Sequence, residues 1–204
     1  MRLLYGVGYF DGDYTVTKTT RVNGKSKMIW ICPYYDRWRH MLARCYSAKR
    51  LEKCSTYKGC KVCDEWLIFS NFKRWMEQQD WQDKELDKDL LIEGNKIYSP
   101  DTCIFVDRIV NTFILSCKKT RGNYLLGVIY DKERNLFRSE CCNPFTKKKE
   151  HLGRYSTEIE AHLAWKKRKH ELACQLANTD HCNDDRLYSV LTIKYKGDTV
   201  YETV

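Results

Sequence analysis

The chain has 204 residues, 43% hydrophobic and 13% aromatic, with 36 lysines and arginines against 27 aspartates and glutamates, a net charge of +9. That length suffices for one ordinary core or two small ones, and the basic excess suits a polyanionic partner as well as plain solubility. No apolar run reaches the roughly 18 residues that cross a bilayer, which sets aside a membrane-spanning helix.

The charge is unevenly placed. Residues 1–50 carry 10 basic and 3 acidic groups, 51–110 carry 9 and 12, 111–177 carry 14 and 7, and 178–204 carry 3 and 5. A basic, acidic, basic order is the one expected of a chain that grips phosphates at two places around a carboxylate-rich region. The opening Met1-Arg2-Leu3-Leu4-Tyr5-Gly6 lacks an apolar signal core. The 11 cysteines are therefore expected to be reduced thiols in a cytoplasmic setting.

In chain order, Asn23-Gly24 ahead of Met28-Ile29-Trp30-Ile31 predicts one hairpin. From Tyr35 to Arg50, Trp38, Met41, Leu42 and Cys45 fall at helical spacing, with Arg37, Arg39, Arg44, Lys49 and Arg50 on the other faces. A polar loop leads to the stripe Trp66, Phe69, Phe72, Trp75 and Met76, with Ser70 as the expected N-cap. After the acidic stretch Asp80 to Asp89 and a turn at Glu93 to Lys96, Ser99-Pro100-Asp101-Thr102 reads as a helix start. Cys103 to Leu115 reads as one short apolar element.

Tyr124 to Tyr130 reads as a strand, Asp131 to Asn135 as a charged turn, and Leu136 to Cys142 as an alternating strand. Its period puts Phe137, Ser139 and Cys141 on one face and Arg138 and Glu140 on the other. A loop with Lys147, Lys148 and Lys149 leads to His151 to Tyr155, a third strand. Ser156-Thr157 with Glu160 is a capping box opening a helix to about Ala177. Its apolar stripe is Ala161, Ala164, Trp165, Leu172 and Leu176, with Lys166, Lys167, Arg168 and Lys169 on the exposed side. Tyr188 to Val204 alternates like one or two strands.

Gly127-Val128, Phe137-Arg138-Ser139, Leu152-Gly153-Arg154-Tyr155, Thr157, Glu160-Ala161 and Ala164-Trp165 resemble the ordered pattern of AP2-type domains over about 50 residues. That resemblance implies a three-stranded sheet laid on duplex DNA with one helix behind it. Arg134, Arg138, Lys149 and Arg154 would then touch DNA, with Lys132 and Lys147 near phosphates; a solvated charged sheet face is the plainer alternative.

Trp38, Met41-Leu42, Arg44-Cys45, Val62-Cys63, Glu65-Trp66, Leu86-Asp87-Lys88-Asp89, Gly94-Asn95, Tyr98-Ser99-Pro100 and Thr102-Cys103 resemble the HNH-related, homing-type endonucleases of bacteriophages. The resemblance implies a site at Asp87, Lys88 and Asp89, with Asp87, Asn95 and Asn111 as ligands of Mg²⁺ or Mn²⁺, in a bacterial host cell. Lys88 stands where that family has its general-base histidine. A lysine, with a reference pKa of about 10.4, is a poor base near neutrality, and nearby carboxylates worsen it. The two aspartates also read as turn caps paired with Lys88. Cys60 and Cys63, as a C-x₂-C pair, with Cys45 and Cys103 spell a candidate structural zinc site, with buried apolar thiols as the plainer alternative.

The expected class is α+β: an arm at 1–34, an HNH-like helical and hairpin domain at 35–117, an AP2-like domain at 118–177 and a polar tail at 178–204. Three functions stay open: a metal-dependent duplex DNA endonuclease, a DNA-binding protein that has lost the general base, and a protein interaction module. Neither the DNA target nor the oligomeric state follows from the sequence.

Overall fold

The computed structural model describes residues 3–115 and 123–196. The chain is of the α+β class, and it divides into two compact units, Met1–Phe105 and Val106–Val204. The expected domain boundary at residues 117 and 118 and the tail segment 197–204 lie outside the described residues.

In the first unit, β1 (Thr17–Val22) and β2 (Lys25–Ile31) form the expected antiparallel hairpin. Asn23 (φ 50°) and Gly24 (φ 74°) make the two-residue turn in the left-handed region that matches strand twist. Next comes α1 (Pro33–Tyr46), which starts on proline and buries Trp38, Met41, Leu42 and Cys45. The expected helix to Arg50 is in fact two. Ser47 turns extended, and its carbonyl accepts from Arg50 and Leu51 (2.9 Å each) to start α2 (Ala48–Lys53). Arg44, expected outside, donates to the Leu86 carbonyl at 3.3 Å and lies near the Tyr57 ring.

β3 (Lys61–Val62) and β4 (Glu85–Asp87) flank α3 (Phe69–Glu77); β3 pairs in parallel with β5 (Ile97–Tyr98), and β4 pairs with β6 (Ile104–Val106). Trp38, Trp66, Phe69, Phe72 and Tyr98 are essentially inaccessible and form the aromatic core, with the Trp38 indole N–H donating to the Trp66 carbonyl at 2.7 Å. Ser70 is not the cap of α3. Its own N–H is capped by Asp11 Oδ1 at 2.9 Å, a carboxylate 59 residues upstream. The segment 99–103 is a turn rather than a helix start: the Ser99 carbonyl accepts from Thr102 and Cys103, and the Thr102 hydroxyl donates to the Ile97 carbonyl. Cys103 to Leu115 is likewise not one element, because extended Asp107 separates β6 from α4 (Arg108–Ile114).

The second unit holds α4 and the sheet β7 (Val128–Asp131), β8 (Leu136–Cys142) and β9 (Lys149–Tyr155), in that order and antiparallel. Behind the sheet runs α5 (Glu158–Ala177), opened by the expected capping box of Thr157 and Glu160. The first strand is shorter than its apolar run. Gly127 (φ 78°) sits inside a turn in which the Leu125 carbonyl accepts from Val128, and a Cβ there would meet the Trp165 ring at 2.1 Å, so only glycine lets sheet and helix approach this closely. Lys169 is also not exposed. One turn beyond Trp165 on the buried stripe, it is 7% accessible, donates to the Phe113 carbonyl at 2.6 Å and sits 3.4 Å from the Phe113 ring centroid.

The expected strand at Tyr188 is a helix, α6 (Asp185–Lys194), capped by Asp184. Leu187, Leu191 and Tyr195 are buried at four-residue intervals, a helical period that short-range alternation had hidden.

Candidate nucleic-acid interface

The exposed face of the three-stranded sheet carries the charged row that the sequence pointed to. Ile129, Arg138 and Arg154 are direct cross-strand partners on β7, β8 and β9. Ser139, Cys141 and Val128 are buried on the opposite face, as the two-residue period requires.

Strict alternation from Lys149 would send residue 154 to the inner face with Glu150 and Leu152. A bulge prevents this: Ser139 pairs with Gly153 and Glu140 with His151, so β9 carries one extra residue. Gly153, at φ 131°, takes the conformation that bulge needs. Lys149, His151 and Arg154 are consequently all exposed on one face. Gly153 is the sequence mark of this bulge, and strict alternation by itself would misplace the arginine.

Two guanidiniums opposite each other on adjacent strands repel, and carboxylates offset this. Arg138 Nε lies 3.0 Å from Glu140 and Arg154 Nε 3.2 Å from Asp131, while Arg134 reaches Asp131 at 3.4 Å and Lys149 reaches Glu140 at 3.9 Å. What desolvation Asp131 has raises its pKa, but the bonds from Arg154 and Arg134 outweigh it and hold the carboxyl below its usual range. Lys132, Arg134, Arg138 and Arg154 line a concavity of about 380 Å³ together with Ile129 and Asp131. Five cations (Lys132, Arg134, Arg138, Lys149, Arg154) face three carboxylates (Asp131, Glu133, Glu140), so the face keeps a positive excess.

Asn143, which no motif marked, shapes the adjoining lysine loop. Its Oδ1 accepts from Phe145 and Thr146, and its Nδ2 donates to Glu150 at 2.7 Å. Lys147, at the turn's end, has φ 57° and is exposed with Lys148. Glu150 is fixed in turn by Arg168 of α5 at 2.7 Å, which with Asn143 pulls its pKa down to about 2.

In the first unit the structure brings together Asp87, Lys88, Asp89 and Asn95. Asp87 Oδ1 accepts the N–H groups of Asp89 (2.9 Å) and Leu90 (2.7 Å), closing a turn. Burial and then the Asp89 charge push the Asp87 pKa up against those bonds. Lys88 is 5% accessible; its ammonium donates to the Asn95 carbonyl at 3.0 Å and lies 3.2 Å from Asp89 Oδ2 and 6.0 Å from the Tyr98 ring. Asn95 clamps the loop, with Nδ2 on the Lys88 and Ile97 carbonyls (2.6 and 2.7 Å) and Oδ1 on the Ile97 N–H.

Asp87, Asp89 and Asn95 each have a partner within the loop, and the Lys88 ammonium stands 3.2 Å from Asp89 Oδ2. Asn111 stands on α4 in the second unit. Cys45, Cys60 and Cys103 are buried in the aromatic core with Cys63 against it, and burial pushes the Cys45 and Cys103 thiols up to about 12. Among the described residues no group of three or more His, Cys, Asp or Glu is arranged to hold a metal ion. No helix among them is long and apolar enough to cross a membrane.

No family model, curated protein or solved structure matches the chain.

Proposed function

We propose that the protein binds duplex DNA through the exposed face of β7, β8 and β9, and that its nuclease-like segment is a scaffold that does not cut. The observation that carries this reading is the row Arg138 and Arg154, turned to one exposed face by the Gly153 bulge, with Glu140 3.0 Å from Arg138 and Asp131 3.2 Å from Arg154. Planar guanidiniums in such a row suit bidentate contacts to guanine edges or phosphates, and the lysines at 132, 147 and 149 suit the backbone beside them. The carboxylates are the arginines' partners in the free protein, and phosphate competes with them on binding.

The cutting reading needs a base and a metal at Asp87 to Asp89. Against it, Lys88 stands in the base's place, 5% accessible, with its ammonium on the Asn95 carbonyl and 3.2 Å from Asp89. The test is fluorescence anisotropy with a labelled duplex at several salt concentrations. Each arginine that reaches a base edge contributes roughly 1–3 kcal/mol, so Arg138→Ala with Arg154→Ala weakens binding by at least about tenfold. Affinity equal to wild type in the double variant would reject this face.

A further inference from the structure

Outside the sheet, the molecule carries a second feature that its fold does not use. From Lys18 to Trp30 every residue of the β1–β2 ribbon is exposed, on both faces. A two-stranded ribbon with no packed face is marginal in water, and this one also leaves Val22, Met28, Ile29 and Trp30 between 42% and 60% accessible. Its charge is of one sign: Lys18, Arg21, Lys25 and Lys27 are present, and no carboxylate occurs between Asp13 and Asp36.

The register sorts these groups. Lys18 pairs with Trp30, Thr20 with Lys27 and Val22 with Lys25, which sets three lysines and the indole on one face. Lys18 Nζ lies 5.6 Å from the Trp30 ring centroid, in agreement with that sorting. The bulge that separates the Lys18 and Thr19 pairings leaves Ile29 as the extra residue and keeps Trp30 on the lysine side. The arginines of the second unit are balanced by Asp131 and Glu140, whereas none of the four ribbon cations makes an ion pair among the described residues.

We infer that the β1–β2 ribbon is a second DNA-contacting element, entering the major groove of a duplex with its Lys18, Lys25 and Lys27 face against phosphates. The major groove, about 12 Å wide, admits a two-stranded ribbon whose backbones are about 4.8 Å apart. From the Lys18–Trp30 pair to the Val22–Lys25 pair is four residues, about 13 Å of strand, so the lysines reach successive phosphates along one groove. Uncompensated lysines release counterions on binding without first breaking a protein ion pair, which makes this element the more salt-sensitive of the two.

The inference rests on the duplex-binding reading, and one set of full-length variants separates them. Lys18→Ala/Lys25→Ala/Lys27→Ala, Lys18→Arg/Lys25→Arg/Lys27→Arg and Arg138→Ala/Arg154→Ala are titrated with the same labelled duplex across a salt series, with circular dichroism to show that each is folded. Once three ammoniums no longer neutralise phosphates, the slope of log affinity against log salt becomes shallower by about 2.7 for the lysine-to-alanine variant, and the arginine version restores it. Wild-type slope and affinity in the alanine variant, with the Arg138/Arg154 variant weakened, overturn the ribbon alone. A weakened ribbon variant beside an unaffected Arg138/Arg154 variant upholds the ribbon and overturns the sheet. No wild-type binding overturns both, as does self-association abolished by Trp30→Ala in place of DNA binding.

Discussion

Replacing Lys88 by methionine tests whether its ammonium holds the 87–98 loop together. The substitution keeps the length of the stem but removes the donor to the Asn95 carbonyl (3.0 Å) and the cation facing Asp89 (3.2 Å). A hydrogen bond to a charged group contributes about 1.5–3 kcal/mol. The ion pair adds less, because the Asp89 side chain is 51% accessible and screened, so about 0.5 kcal/mol is appropriate. Part of the loss is offset, since methionine is cheaper to bury than an ammonium. The net expectation is a destabilisation of about 2 kcal/mol, or roughly 8–16 °C in the melting temperature of a unit near 100 residues. Thermal unfolding followed by tryptophan fluorescence reads the first unit, whose core holds Trp38 and Trp66. Unchanged or higher stability for Lys88→Met refutes the idea that the lysine is a structural cation.

Three other outcomes follow from named contacts. Gly127→Ala sets a Cβ 2.1 Å from the Trp165 ring at φ 78°, and should cost about 3 kcal/mol, read as a loss of cooperative melting in the second unit. The Glu150 carboxyl, held near 2 against an ordinary 4.5, gives stability that is present above pH 4.5 and lost as pH falls towards 2. Because the Arg168–Glu150 pair is partly exposed, the loss is about 1 kcal/mol, and Glu150→Gln should flatten the dependence in urea titrations at pH 5 and pH 3. Chelator treatment should leave circular dichroism unchanged, since Cys45, Cys60 and Cys103 are packed among the aromatic core side chains; release of stoichiometric zinc would return Cys45, Cys60, Cys63 and Cys103 to a ligand role.

What the sequence discloses here is what short-range chemistry decides. The Asn23-Gly24 turn, the aromatic stripe from Trp66 to Met76 and the Thr157 to Glu160 capping box each depend on residues within one or two turns of chain, and all three stand as read. Asp11 as the cap of α3 was illegible because its partner lies 59 positions away. Lys169 was misread by its charge, although its spacing from Trp165 and Leu172 already placed it on the buried stripe. At the candidate site, the face of Arg138 was legible from alternation and Arg154 was named from the family resemblance, while the bulge at Gly153 and the balancing carboxylates Asp131 and Glu140 were invisible until strands paired. Lys88 was legible as an anomaly, while its burial depended on a loop closing over it through Asn95.

The most direct test of binding without cutting uses supercoiled plasmid. Wild-type protein should retard the plasmid in a salt-sensitive manner and leave it supercoiled in Mg²⁺ and in Mn²⁺. Metal-dependent nicking by the wild type that is lost in Asp87→Ala would contradict the account and restore the carboxylates at 87 and 89 to catalysis.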